Sequence, residues 1–179
     1  MAEHVALLRW SGCTANAEGF THLLGNDVDG RRAMLDQTLG ADDMRAVHKA
    51  SSLAVMHCEV SEQVASTLGL GAQVEGALYR VFETYDGSGR PAGLVHGNIP
   101  EVVYQVVLAG DLEILSRTHG LDSALDWIGA QCNRRYPAAL AKLLMQNAAD
   151  WLAQLESAAQ SAGWETPETS VPLSLVGDV

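Results

Sequence analysis

Along most of this chain apolar residues recur at intervals of three and four, and no segment sustains the apolar/polar alternation of a half-buried strand. A chain patterned this way buries its apolar stripes by packing helix on helix, so the expected fold is all-α. The spacing predicts helices over residues 3–10, 14–24, 27–38, 41–68, 72–84, 101–116, 121–133 and 137–160. In the 41–68 helix, Met44, Val47, Ala54, Val55, Cys58 and Val64 form one broad stripe, and Asp42 and Asp43 sit at its electropositive N-terminal end. Residues 101–116 place Val103, Val106, Val107, Gly110 and Ile114 toward the core, with Gly110 allowing close approach of a neighbouring helix. The last helix repeats Leu140, Leu144, Ala148, Trp151 and Leu155 and opens on Pro137, which the first turn tolerates. Leu68-Gly-Leu-Gly71 and Arg117-Thr-His-Gly120 read as helix ends, where Gly adopts the left-handed cap.

Composition narrows the function classes. The 179 residues suit one domain, taken as 1–162, followed by a tail at 163–179 that carries Pro167 and Pro172 but no basic residue and is expected to be extended or disordered. With 22 acidic against 11 basic residues the net charge is −11, which repels a phosphate backbone, so a nucleic-acid partner is not expected. Neither a run of about 18 apolar residues nor a signal-peptide pattern is present, and the expectation is a soluble, cytoplasmic chain without a membrane partner. Cys13, Cys58 and Cys132 are odd in number and widely spaced, which fits reduced thiols.

Residues 83–100, Glu-Thr-Tyr-Asp-Gly-Ser-Gly-Arg-Pro-Ala-Gly-Leu-Val-His-Gly-Asn-Ile-Pro, hold the most specific motif. Glu83, Asp86, Gly87, Gly89, Pro91, Gly93, Leu94, Ile99 and Pro100 resemble the signature loop of HD-GYP domains, helical metal-dependent phosphodiesterases of cyclic dinucleotides. Three further segments resemble the same family in the same order. Ala-Leu-Leu-Arg-Trp-Ser-Gly-Cys at 6–13 is similar to the motif that carries the family's His-Asp pair. His57 with Glu59 is similar to the start of its next metal-binding helix, and residues 107–115 to the helix with its last ligand Asp. The resemblance spans about 5–160 and is nearest to the HD-like modules found beside LuxR-type helix-turn-helix domains. It implies an HD-domain-like helical bundle, N-terminally shortened, because only eight residues precede Arg9.

Carried over residue by residue, the resemblance leaves the metal site depleted. Two cations need converging imidazoles and carboxylates. The His-Asp pair falls on Arg9 and Trp10, the paired His of the loop on Val81 and Phe82, and the last Asp on Gly110. Asp111 follows one residue late, about 100° around a helix. His57 alone of the usual ligands stands in place, so no metal and no cofactor is expected. The implied pocket, lined by Arg9, Trp10, His57, Val81, Phe82, Tyr85 and Asp111, is more apolar than a metal site and would suit a small-molecule ligand.

Two functions follow from these residues. The first is a non-catalytic, degenerate HD-GYP-like regulatory or small-ligand-binding module. The alternative is a hydrolase of phosphoric or other esters, metal-independent or weakly metal-dependent. In that case His57 would be general base, Arg9 would stabilise developing negative charge, Glu83 or Asp86 would orient the His, and Cys13 would be the nucleophile of any covalent route. Against those roles, Glu83 and Asp86 also suit bracing of a Gly-rich turn, and His57 and the cysteines also suit simple core positions. Leu7 and Leu8 lie on a flank that family members cover with additional helices, so self-association as a homodimer is expected.

Overall fold

The computed structural model describes residues 1–162. Its α-helices are α1 (Ala2–Leu8), α2 (Ala17–Leu24), α3 (Asp27–Leu35), α4 (Ala41–Lys49), α5 (Ser51–Thr67), α6 (Ala72–Tyr79), α7 (Glu101–His119), α8 (Leu121–Ala130) and α9 (Ala138–Ser161), with a 3₁₀ turn at Thr14–Asn16. Among the described residues the only β-type pairings are two isolated bridges, Asp86 with Val95 and Cys132 with Tyr136, so the all-α expectation holds. The tail expected at 163–179 lies outside the described residues. The chain divides into two compact units, Met1–Gln146 and Asn147–Val179. In the described part of the second unit, the α9 side chains of Trp151 and Leu155 are exposed. No helix among the described residues is long and apolar enough to cross a membrane.

In the first unit α7 packs against α1, α6 and α8. It buries Val102, Val103, Tyr104, Val106, Leu108, Leu112 and Leu115, too many directions for one stripe, as befits a helix surrounded by others. Val107 and Ile114, expected to face the core, are only half-buried, while Tyr104, Leu108 and Leu112 take deeper positions. A second group, α5 against α6 and the 3₁₀ turn, buries His57, Cys58, Ser61 and Ala65 with Val74, Ala77 and Leu78.

Helix boundaries depart from the sequence reading where packing or a positive φ intervenes. The single helix expected over 41–68 is two helices, broken at Ala50 (ψ 51°), whose N–H reaches back to both Ala46 and Val47 carbonyls. No residue of α4 is buried whereas four of α5 are, so the contacts that set the axis of α5 do not extend into α4. The helix expected at 27–38 stops at Leu35 because Gln37 turns left-handed (φ 56°), and that at 121–133 stops at Ala130 before Asn133 (φ 58°). The helix expected at 72–84 ends at Tyr79, and the chain turns there into the loop that leads to α7.

Candidate functional site

The end of α1 is drawn onto α5 by two glycine-dependent contacts. A Cβ on Gly12 would press on the backbone of His57, with His57 C and Cα only 2.8 Å away, and the Gly12 N–H donates to Ser61 Oγ at 3.2 Å. This approach brings the Arg9 carbonyl within 2.7 Å of His57 Nε2. A carbonyl can only accept, so the His57 proton resides on Nε2. The ring is 1% exposed and lies between Trp10 (centroids 6.3 Å apart, edge-on) and Phe82 (4.8 Å). Burial lowers the His57 pKa below its ordinary value, outweighing the opposing effect of the Arg9 carbonyl, which keeps the ring neutral.

The Arg9 side chain runs the other way, to α7. Its Nη1 donates to the Val106 carbonyl at 3.0 Å, its guanidinium lies 4.7 Å from the Trp10 ring centre, and it fills the space that a side chain at Gly110 would need: a Cβ there would lie 2.6 Å from Cζ. The close approach expected at Gly110 therefore exists, but a side chain enters it rather than a helix backbone. Burial lowers the Arg9 pKa, and Asp111 and Glu113 oppose that shift, so the guanidinium stays charged among carboxylates. Asp111 accepts a forked pair from Arg135, at 2.7 Å from Nε and 3.3 Å from Nη2. Arg135 in turn lies over the Trp127 ring. In the sequence Arg134 and Arg135 form only a small basic cluster. Nothing in their spacing pairs Arg135 with a carboxylate 24 positions away.

The loop residues serve the loop. Glu83, 3% exposed, accepts from Ala92 N–H on Oε1 (2.7 Å) and from Leu94 N–H on Oε2 (2.8 Å), and these bonds span the cis Arg90–Pro91 peptide. Asp86 Oδ1 accepts from Thr84 Oγ1, Ser88 N–H and Ser88 Oγ at 2.7–3.0 Å, and the Ser88 amide holds its carboxyl below the usual range. Gly89 folds against residues 82–84 so closely that a Cβ would lie 2.6 Å from the Phe82 carbonyl oxygen. Neither carboxylate hydrogen-bonds to His57, so the structure does not give them the orienting role considered above. Val81 is buried, and Tyr85 points to a separate cleft, stacked on His96 with centroids 4.6 Å apart. Cys13 is half-buried beside Arg31, which donates to its carbonyl, and burial raises its thiol pKa despite that cation. Burial likewise pushes the Cys58 thiol up to about 12. Neither thiol has the depressed pKa of an activated nucleophile.

These side chains do not fit the metal pair of an HD phosphodiesterase. Among the described residues no three His, Cys, Asp or Glu side chains converge as a ligand group. His57 has one nitrogen occupied by a carbonyl, Asp111 is forked to Arg135, and the guanidinium of Arg9 fills the space beside Gly110.

No protein-family model matches this chain, and no curated protein matches it. Among solved structures it is similar to a cyclic GMP-AMP-specific phosphodiesterase of V. cholerae, V-cGAP3, with a TM-score of 0.53 and 19% identity, over 77% of this chain and 32% of that one. The chain therefore spans about a third of the length of that phosphodiesterase. At this identity the likeness shows the fold: an all-α, HD-like helical bundle.

Proposed function

We propose that this chain is a non-catalytic, degenerate HD-GYP-like module that binds a small ligand or regulates a partner. The observation that carries the reading is the position of Arg9, whose guanidinium fills the space beside Gly110 and donates to the Val106 carbonyl. A fixed positive charge disfavours cations at that place, and the neutral, enclosed His57 is bonded to backbone rather than aimed at open space. The test is hydrolysis of chromogenic phosphate mono-, di- and triesters, carboxyl esters and a cyclic dinucleotide, with chelator and with added Mn²⁺. The expected result is no turnover above that of a folded His57→Gln control.

The phosphodiesterase neighbour favours the second reading, an ester hydrolase on the same scaffold. Its sign would be turnover that disappears in His57→Gln while the circular dichroism spectrum is kept. Self-association belongs to the first reading. Leu7 is 78% exposed on α1, and Leu7→Glu is expected to shift a concentration-dependent dimer to monomer in light-scattering chromatography.

A further inference from the structure

Away from His57, a cleft of about 470 Å³ opens between the 83–100 loop, the start of α7 and the start of α9, all within the first unit. Its size lies in the range of small-molecule sites. Ile99, Leu140 and Leu143 give it apolar walls, and the Tyr85–His96 stack supplies a flat aromatic surface. Tyr104 lines it too, with centroids 6.1 Å from Tyr85. Tyr104 is 4% exposed, and its hydroxyl has no hydrogen-bond partner. An unpaired buried hydroxyl costs about 1–3 kcal/mol, so such a group in a ligand-sized cleft marks a place for a hydrogen-bonding partner. Side chains on a helix lean toward its N-terminus, which directs Tyr104 to the open end of α7, where Pro100 provides no side-chain cap for the first-turn amides.

Charge selects further. No Lys or Arg lines the cleft, Glu101 contributes a carboxylate, and the whole chain carries −11, so an anion is disfavoured. A cation would meet the positive end of the α7 dipole, so it is disfavoured as well. An uncharged ring with one hydrogen-bond acceptor gives the Tyr104 hydroxyl a partner and places no charge against Glu101 or the start of α7.

We infer that the Tyr85–His96–Tyr104 cleft binds a small, neutral, planar aromatic molecule that presents a carbonyl-type acceptor to Tyr104. The inference gives the binding-module reading its ligand class but uses no residue around His57, so it can fail while the absence of turnover stands. The test is amide chemical-shift mapping of the full chain, titrated with acetophenone and benzamide, against toluene, benzoate and phenyltrimethylammonium as probes. Acetophenone and benzamide are expected to give saturable shifts at Tyr85, Gly97, Tyr104 and Leu140, at least about fivefold stronger than toluene, the ratio for one hydrogen bond. Tyr104→Phe should reduce that ratio toward one while toluene binding persists, and Leu140→Trp, which narrows the cleft, should remove the shifts for both carbonyl probes. Absence of saturable shifts at the cleft, equal binding of toluene, stronger binding of either charged probe, or an unchanged ratio in Tyr104→Phe would overturn the inference.

Discussion

The 83–100 loop and the helical centre around His57 resemble the same family, yet their polar groups are used in opposite ways. In the loop, Glu83, Asp86 and Gly89 turn inward on the loop's own backbone, each satisfying an amide or permitting a fold-back that the chain path requires. At the centre, Arg9 packs on Trp10 and into the space beside Gly110, and His57 lies between Trp10 and Phe82. The difference teaches that a loop motif can be accounted for by what its side chains do for the backbone, with no ligand chemistry invoked. Backbone amides need acceptors whatever the site does, whereas cation ligands matter only if cations bind.

The largest effect should come from breaking the loop's bracing. Glu83→Ala removes two charge-assisted, part-buried hydrogen bonds to the Ala92 and Leu94 amides, and the expected loss is about 2–4 kcal/mol in urea denaturation. A loss under about 1 kcal/mol would mean that the loop does not depend on this carboxylate. Next comes the centre. Gly110→Ala should destabilise by about 1–2 kcal/mol, because displacing the Arg9 guanidinium outweighs the roughly 1 kcal/mol that Ala gains over Gly in a helix. In an Arg9→Met background the same change should become neutral or stabilising, and additivity of the two substitutions would show that Arg9 does not fill that space.

Asp86→Ala removes acceptors for one exposed turn and should cost no more than about 1 kcal/mol, well below Glu83→Ala, in the same denaturation series. The smallest expected signal is in pH dependence. The His57 pKa is lowered in the folded chain, so between that value and the ordinary 6.5 the unfolded chain binds a proton that the folded one does not. Its contribution to stability is therefore complete above pH 6.5 and declines as pH falls below it. His57→Gln should flatten that part of the stability–pH curve, and an unchanged slope between pH 5 and 7 would show that the ring titrates freely.

Much of the fold was legible from periodicity, since helix existence depends on local spacing of apolar residues and on glycine caps. The break at Ala50 was not, because nothing in the local pattern of 41–68 separates a helix held by four buried side chains from one held by none. At the centre, the residue types could be read directly, but their partners could not. Arg9 meets the Val106 carbonyl across 97 positions and His57 meets the Arg9 carbonyl across 48, contacts with no signature in either segment. The Tyr104 cleft was equally hidden, since Tyr85 had been placed with His57 and instead stacks on His96.

From its sequence alone this protein is an all-α chain with a Gly- and Pro-punctuated loop between helical halves. Tertiary structure alone decided that the arginine capping α1 enters the space a glycine leaves on α7, and that aromatic residues of the loop and of α7 line a cleft of their own. The physical reason is range: helix and turn preferences act over three or four residues, while the neighbours of a buried charge or an unpaired hydroxyl are chosen by how whole helices pack.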